Sequence, residues 1–219
     1  MVKYYLDFDA FLRVNRFTLF CDARSKRTED VSDGIGVCVY PKSGITERKD
    51  RMINIVLLEP EIPANTGNIG RTCVATGSRL HLIEPLGFDI SEKAVRRAGM
   101  DYWKDIDLHV YKNYEEFLEK NPGARPYMAT TKGQSLYSEV EYEDEAYIMF
   151  GKESAGIPEE ILMTDKERCI RIPMLSEIRS LNLSNSVAIV TYEALRQKGF
   201  SHMQMQGELH RHSWSEVES

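Results

Sequence analysis

The sequence predicts an α/β domain in which a mainly parallel sheet is covered by helices on both faces, and three observations predict it. Short apolar runs rich in β-branched and aromatic residues recur from residue 52 onward, and each ends at a turn signal. Helical stretches alternate with these runs along the chain, as parallel strands require. The runs are continuously apolar rather than alternating, which is typical of strands buried on both faces.

The predicted elements follow one another in a regular order. Six runs are predicted strands: INIVLLEP, LHLIEP, DLHVY, PYMATT, AYIMFG and CIRIPM. Between them the pattern predicts helices at 68–76, 91–98, 114–120 and 159–163, and it places the last and longest helix at 183–198. Asn65 or Thr66 is a candidate N-cap of the first helix, and the small polar residues between Ser180 and Asn185 are candidate caps of the last.

Only residues 52–200 carry this alternation. Residues 1–51 mix charges, aromatics and turn signals without a clear period, so we expect an N-terminal extension outside the core fold. A small accessory substrate-binding module is the alternative, although the segment lacks a clear basic stripe. Residues 201–219 are mostly polar and are expected to form a fraying C-terminal tail. The alternating part fits a single domain, since one core serves chains of up to roughly 250 residues.

Composition and charge exclude several classes of protein. The chain has 219 residues, of which 42% are hydrophobic and 28% charged, within the range of globular proteins. No apolar run approaches the roughly 20 residues of a membrane span, and the beginning lacks a basic segment followed by an apolar one. We therefore expect a cytoplasmic protein without a membrane partner. The net charge of -6 disfavours non-specific binding to nucleic acid, so an RNA partner requires a local basic patch.

The cysteines and histidines do not indicate a metal site. The 4 cysteines lie far apart and form no Cys-x-x-Cys pair, which disfavours both a zinc site and a disulfide framework. We expect reduced thiols, with Cys73 and Cys169 in the core. His210 and His212 lie close together only within the polar tail. The prediction is a protein without a metal cofactor.

Candidate binding residues follow the predicted strands, because ligands of open parallel sheets bind beyond the carboxyl ends of the strands. Four loops stand out: EIPANTGNIGRTC, ATTKGQS, FGKESAGIP and the stretch from RIPM to SLNLSNS. The first has glycines and an arginine near a helix start, which suits an anion. If the other three converge, they enclose a small ligand largely through backbone groups. Taken singly, each loop is also explained as a solvated turn between a strand and a helix.

Three widespread signatures are absent from these loops. Lys152 stands too far ahead of the next helix for a phosphate-binding P-loop, and no Gly-x-Ser-x-Gly nucleophile elbow surrounds Ser154. The Gly-x-Gly-x-x-Gly dinucleotide fingerprint is also missing. The sequence therefore disfavours a plain ATP-binding α/β protein, a serine hydrolase and a standard dinucleotide fold.

Three motifs, in their order and spacing, carry a family resemblance. NTGNIGR, GKESAGIP and RIPM…RSLNLSNSVAIVTYEA resemble the signature motifs of the SPOUT superfamily of S-adenosylmethionine-dependent RNA methyltransferases. MINIVLLEPEIPANTGNIGRTCVATGSRLHLIEPLGF and RRAGMDYW resemble the subgroup that methylates the ribose 2′-hydroxyl of the wobble nucleotide, a cytidine or modified uridine, in certain leucine tRNAs. The resemblance covers residues 52 to about 200. It implies a SPOUT fold with a deep C-terminal trefoil knot, a homodimer, S-adenosyl-L-methionine as cofactor and the anticodon stem-loop of tRNA as partner.

The resemblance also implies roles for individual residues. Asn65 and Arg71 would be catalytic, near the reacting ribose. We expect Arg71 to grip a phosphate and stabilise developing alkoxide charge, with Asn65 or a water receiving the proton, because a guanidinium stays protonated at neutral pH. The implied cofactor-binding residues are Ala129, Gly151, Glu153, Gly156, Ile172, Ser180, Leu181 and Asn182. The candidate RNA-binding residues, which would form a local positive surface, are Lys93, Arg96, Arg97, Lys104, Lys132 and Arg179, with Tyr102 and Trp103 as candidates for stacking on exposed bases. From the residues alone, a solvated amphipathic helix followed by core aromatics explains the segment EKAVRRAGMDYW equally well.

Two other readings remain open at the level of the sequence. A knotted RNA-binding protein without catalytic activity would share the fold, and a SPOUT methyltransferase acting on another tRNA or rRNA ribose would share the site. The presence of Asn65, Arg71, Glu153 and the whole polar loop from Ser180 to Asn185 disfavours the first of these, because a protein without turnover does not need them.

Overall fold

The structure is a computed structural model that describes residues 52–91, 95 and 100–217. The predictions for residues 1–51, for most of the helix at 91–98, and for Lys93, Arg96 and Arg97 lie outside the described residues. None of the helices within the described ranges combines the length and apolar character that a membrane span requires.

A parallel sheet forms the centre of the described chain. Its strands are β1 (Asn54–Leu58), β2 (Arg79–Ile83), β3 (Leu108–Tyr111), β4 (Tyr127–Ala129), β5 (Ser135–Leu136), β6 (Tyr147–Phe150) and β7 (Cys169–Arg171). The described strands lie in the order β3-β2-β1-β6-β4-β7-β5, and every neighbouring pair is parallel. All six predicted strands are confirmed. The edge strand β5 was not predicted, because two residues carry no periodic signal.

Four α-helices lie within the described ranges: α1 (Pro63–Thr76), α2 (Tyr114–Lys120), α3 (Glu159–Leu162) and, after the last strand, α4 (Leu183–Gln197). Short 3₁₀ helices cover Asp101–Asp105, Lys166–Arg168 and Trp214–Val217. The bounds of α2, α3 and α4 agree with the predicted helices within one residue. Asn182 caps α4, because its side-chain oxygen accepts from the backbone N–H groups of Ser184 and Asn185.

The predicted start of α1 is wrong. The helix begins at Pro63, five residues before the predicted start, and the residue at its N-cap is Ile62, which has no capping side chain. Asn65 and Thr66 lie inside the helix and are buried, so neither is the N-cap. Proline suits the first helical position, since its missing N–H would have no partner there. The cap comes from elsewhere in the chain, as the site geometry below explains.

The sheet is buried on both faces, as the continuous apolar runs predict. One cluster contains Ile55 and Leu57 of β1 together with core residues of α1 and α4. The other contains Val56 and Leu58 of the same strand with core residues of α2 and α3. Successive side chains of a strand point to opposite faces, so one strand serves both clusters. Cys73 and Cys169 are buried free thiols, which confirms their predicted place in the core.

Packing continues beyond the predicted end of the domain at residue 200. Phe200 donates its backbone N–H to the Leu195 carbonyl, and both Phe200 and Met203 pack against the cluster that holds α1 and α4. Most residues from 204 to 217 are exposed. Phe200 and Met203 therefore extend this apolar cluster beyond α4.

His81 is a buried polar residue in the middle of β2, with only 2% of its surface exposed. Its Nδ1 lies 2.9 Å from the Tyr111 hydroxyl and its Nε2 lies 3.2 Å from Asn54 Oδ1. Both Asn54 and Tyr111 are also held by other partners, so the ring is fixed in a neutral, fully hydrogen-bonded state. Burial is the largest cause of a pKa for His81 that is lowered to about 3; the nearby His109 and Arg79 act in the same direction, whereas Asp107 acts in the opposite one.

This arrangement predicts a loss of stability in mild acid. The unfolded chain takes up a proton on residue 81 near pH 6.5, whereas the folded chain does not until about pH 3. Stability from this group is therefore complete above pH 6.5 and falls by about 1.4 kcal/mol per pH unit below it. The free energy of unfolding, measured in urea between pH 7.5 and 5, should show this slope. His81→Gln should reduce the slope by the contribution of one proton taken up on unfolding. Equal slopes in both proteins would contradict the assignment.

Candidate active site

A cavity of about 540 Å³ opens at the carboxyl edge of the sheet. Its walls are the residues that follow β4, β6 and β7, together with the starts of α1 and α4. Apolar side chains such as Ile157, Ile172 and Leu181 lie beside polar groups such as Thr130 and Ser180. The size and the mixed lining are those of a small-ligand site.

The cavity brings together the residues that the sequence assigned to a cofactor. All eight line it: Ala129, Gly151, Glu153, Gly156, Ile172, Ser180, Leu181 and Asn182. Asn65, Lys132 and Arg179 also line it, whereas Arg71 and Lys104 do not. Sequence reasoning did not single out Ile62, Phe150 and Met174, which lie within the quoted loops but carry no polar signal of their own.

The loop after β6 folds back on itself, and glycine makes this possible. Lys152 and Gly156 form an antiparallel bridge in which the Gly156 N–H donates to the Lys152 carbonyl at 2.8 Å. A Cβ placed on Gly151 would lie 2.0 Å from the Gly156 carbonyl carbon, so no side chain fits there. Gly156 has φ 72°, a conformation that favours glycine. The predicted importance of these two glycines thus has a steric cause in the loop itself.

Glu153 ties this loop to the start of α1. Its Oε2 accepts from the backbone N–H of Glu61 at 2.9 Å, and its Oε1 accepts from the N–H of Ile62 at 3.3 Å and from Asn65 Nδ2 at 2.8 Å. A carboxylate at a helix N-terminus is also favoured by the helix dipole. Glu153 therefore supplies the cap that α1 lacks in its own sequence.

Asn65 extends the connection to α4. Its amide oxygen accepts from Asn182 Nδ2 at 3.0 Å, while its amide nitrogen donates to Glu153. Because Asn182 in turn caps α4, one chain of hydrogen bonds joins the loop after β6, helix α1 and helix α4. The three predicted motifs therefore meet in one network.

Two further contacts fasten the loop after β1 to the loop after β6. The Glu61 carboxylate accepts from the backbone N–H and the hydroxyl of Ser154, and these hydrogen bonds lower the pKa of Glu61. Lys152 Nζ lies 2.7 Å from Glu59 Oε2. Glu61 and Glu153 thus each hold the loop that carries the other, which fixes the separation of the two loops.

The basic residues at the site have different surroundings. Lys132 pairs with Glu159 at 2.5 Å, and Arg179 donates to the Ser154 carbonyl at 3.3 Å. Lys104 is exposed in the 3₁₀ helix outside the cavity. Arg71 is exposed on α1, with its guanidinium carbon 4.5 Å from the centre of the Tyr102 ring. The cavity wall therefore includes basic side chains, of which Lys132 already pairs with a carboxylate.

Tyr102 and Trp103 do not project freely, in contrast to the expectation of base stacking. The Tyr102 hydroxyl donates to the Gly67 carbonyl at 2.8 Å, and its ring lies against Arg71. Trp103 packs over Gly70 of the same helix. Tertiary contacts with α1 occupy both aromatic rings, which agrees with the alternative of packed aromatic residues. Among the described residues, no group of histidine, cysteine and acidic side chains could hold a metal ion.

A doubly covered parallel sheet with a cavity at its carboxyl edge defines an α/β protein with a site typical of small ligands. The chain matches the model of the SpoU rRNA Methylase family over residues 52–192. It therefore belongs to the SpoU rRNA Methylase family.

Individual relatives extend this match. A tRNA (cytidine(34)-2'-O)-methyltransferase of Escherichia coli strain K12 is 51% identical over 150 residues, which are 68% of this chain and 96% of that protein. A solved structure described by the words "2-OH methylation of C/U34 on tRNA" is 42% identical with a TM-score of 0.64, covering 69% of this chain and 99% of that one. An AdoMet-bound rRNA methyltransferase from Sinorhizobium meliloti is 25% identical with a TM-score of 0.60, and the match covers 68% of this chain and 57% of that one.

The hydrogen bonds of Glu153 predict that the free energy of unfolding depends on its second carboxylate oxygen. Glu153→Gln replaces one carboxylate oxygen with an amide nitrogen, which donates and cannot accept, so at least one donor at the start of α1 loses its partner. We expect the free energy of unfolding to fall by about 1–3 kcal/mol in urea titrations. The control is Glu159→Gln, which breaks one exposed ion pair with Lys132 and should cost under about 1 kcal/mol. Equal losses would contradict the role of Glu153 as a cap.

Proposed function

We propose that this protein transfers the methyl group of S-adenosylmethionine to the ribose 2′-hydroxyl of nucleotide 34 in tRNA, a cytidine or a modified uridine, with leucine tRNAs as substrates. The observation that carries the proposal is the meeting of three separated motifs at one cavity through Glu153, Asn65 and Asn182. The 51% identity to a protein of that activity supports the choice of substrate. The resemblance of the RRAGMDYW segment to the wobble-nucleotide subgroup supports leucine tRNAs.

The cavity fits the proposed cofactor. Its volume of about 540 Å³ accommodates a nucleoside joined to an amino acid, and its apolar side chains suit the faces of a purine. Ala129, Gly151 and Ile172 lie on the side of the strand ends, and Ser180 and Leu181 lie on the side of α4. Lys132 and Arg179 at the cavity suit a carboxylate. When bound there, S-adenosylmethionine supplies an electrophilic methyl group.

Asn65 acts by positioning in this proposal, rather than as the proton acceptor. Its amide nitrogen and oxygen are both engaged, by Glu153 and Asn182, and the residue is buried. A carboxamide is also a weak base. We therefore assign the proton of the ribose hydroxyl to water, and the alignment of the cavity with α1 to Asn65. Holding reactants in the correct geometry can supply much of the rate of a displacement reaction.

Arg71 and nearby cations provide the RNA surface. An acidic protein can bind RNA if local charge is positive, since affinity depends on neutralised phosphates. Arg71 lies on the exposed side of α1, and Lys132 and Arg179 lie at the cavity. Lys104 is part of this surface in the proposal, and Lys93, Arg96 and Arg97 are proposed as RNA-binding residues from the sequence alone. Arg71 would bind the phosphate next to the reacting ribose and stabilise the alkoxide that develops on it.

A homodimer is part of the proposal. Helix α4 exposes a row of residues at helical spacing, Asn185, Ile189 and Tyr192, of which Ile189 and Tyr192 are 36% and 43% exposed. Val74 on the neighbouring helix α1 is also exposed. An apolar row on two packed helices suits a second copy, because two-fold dimers bury the same surface of each subunit.

The deep trefoil knot and the cytoplasmic location complete the proposal. Strand β7 lies between β4 and β5. Residues 173–182 connect β7 to α4, and α4 packs against α1. This path supports a knot, in which the segment carrying α4 passes through an earlier loop. A tRNA substrate supports the cytoplasm as the location.

The first test of the function is Arg71→Ala with tRNA as substrate. Removing a charge-assisted contact to the reacting region should lower the methylation rate about 100-fold. The measurement is mass spectrometry of nucleosides from leucine tRNA after incubation with labelled S-adenosylmethionine, and it should place the label on the ribose of nucleotide 34. The control is Arg125→Ala, an exposed arginine paired with Asp165 away from the cavity.

Several outcomes of this experiment would contradict the proposal. Label on rRNA but not on tRNA would indicate a different ribose, and binding of tRNA without label would indicate a protein without catalytic activity. If Arg71→Ala and Arg125→Ala had equal methylation rates, Arg71 would have no role in the reaction.

The second test concerns the dimer. Tyr192→Glu places a charge within the proposed apolar interface, so we expect a shift from the mass of two chains to that of one in light scattering. Leu118→Glu is the matched control, since Leu118 is 38% exposed on α2, which packs on the opposite face of the sheet. A wild-type protein with the mass of one chain, or an unchanged mass for Tyr192→Glu, would contradict the proposed interface.

A further inference from the structure

Arg71 has an unusual environment for a cation at this site. Its guanidinium carbon lies over the Tyr102 ring at 4.5 Å, and the described residues place no carboxylate within ion-pair distance of it. Lys132 and Lys152, by contrast, pair with Glu159 and Glu59. An aromatic face attracts a guanidinium without neutralising its charge. Arg71 is therefore held in place by the ring, and no carboxylate in the described part of the chain pairs with its N–H groups.

Tyr102 is itself fixed against α1. Its hydroxyl donates to the Gly67 carbonyl at 2.8 Å, and a Cβ on Gly67 would lie 3.0 Å from Met100 Sδ. A Cβ on Gly70 would lie 2.7 Å from Ile106 Cδ1 and 3.5 Å from Trp103. Glycine inside a helix lowers its stability, so two glycines one turn apart need a reason. They make room for the segment that carries Tyr102.

We infer that Tyr102 is a positioning residue for Arg71, a role that rests on the proposed function. The ring holds the guanidinium in one place and leaves its charge available for the RNA phosphate beside the reacting ribose. A carboxylate in the same place would compete with that phosphate, whereas a ring does not. Arginine suits this role because its planar group stacks on aromatic rings and also binds phosphate through several N–H groups.

The experiment compares Tyr102→Phe, Tyr102→Leu and Arg71→Ala, singly and combined, by kcat for tRNA methylation and by the Kd for S-adenosylmethionine. Tyr102→Phe keeps the ring and should stay within about threefold of wild type, whereas Tyr102→Leu should lower kcat about tenfold. Neither change should alter the cofactor Kd, because Tyr102 does not line the cavity. Tyr114→Leu is the control for the loss of a half-buried ring on α2.

The decisive comparison is the double variant. If Tyr102 acts through Arg71, Tyr102→Leu should cause no further loss in the Arg71→Ala protein. A merely structural role would lower kcat in both backgrounds. Proton NMR gives a readout without turnover: ring currents should shift the Arg71 side-chain resonances in the wild type, and Tyr102→Leu should return them toward ordinary values.

The outcomes separate this inference from the proposed function. Wild-type protein that methylates tRNA, with additive losses or unshifted Arg71 resonances, would overturn the role of Tyr102 alone. Wild-type protein that transfers no methyl group to tRNA would overturn the proposed function and, with it, the role of Tyr102. Non-additive losses together with shifted resonances would support both.

Discussion

The carboxylate of Glu153 is the group on which the arrangement of the site depends. It receives hydrogen bonds from two backbone N–H groups before α1 and from the side chain of Asn65 within that helix. All three donors are neutral, so the carboxylate binds two segments together without a cation. Helix α1 has no cap of its own at Ile62 and therefore relies on a residue from another loop. The start of α1 and the loop after β6 cannot form independently of each other.

The sheet order explains how such distant residues reach one another. Asn65 and Asn182 are 117 residues apart, yet their amides are 3.0 Å apart, because β1, β6, β4 and β7 lie side by side and in parallel. Parallel strands place their carboxyl ends at the same edge, so the loops that follow them converge there. The cavity is a consequence of topology, and the hydrogen-bond network then sets the distances between its walls.

The sequence predicted those features that depend on local pattern. Six strands, the bounds of three helices and a polar cap of α4 within residues 180–185 follow from periodicity and from the residues at helix ends. The start of α1 and the strand β5 were not predictable in this way. Ile62 is no capping residue by type, and its cap lies 91 positions away. The partner of Tyr102 was missed for the same reason, since a contact with Arg71 and Gly67 leaves no local signal.

Helix α1 contributes to the site at two places: Asn65 near its start and Arg71 further along. Asn65 faces the hydrogen-bond network and is buried, whereas Arg71 is exposed about 9 Å further along the helix axis, at a rise of about 1.5 Å per residue. A ribose at the mouth of the cavity can be reached by the long arginine side chain only if that side chain is directed, which makes its support by Tyr102 relevant. Arg71 is also one turn before Val74, at the side of α1 assigned to the dimer. In the proposed dimer, a second copy that covers Val74 and Tyr192 would therefore lie next to Arg71, so the proposed interface and the proposed RNA contact would share one surface.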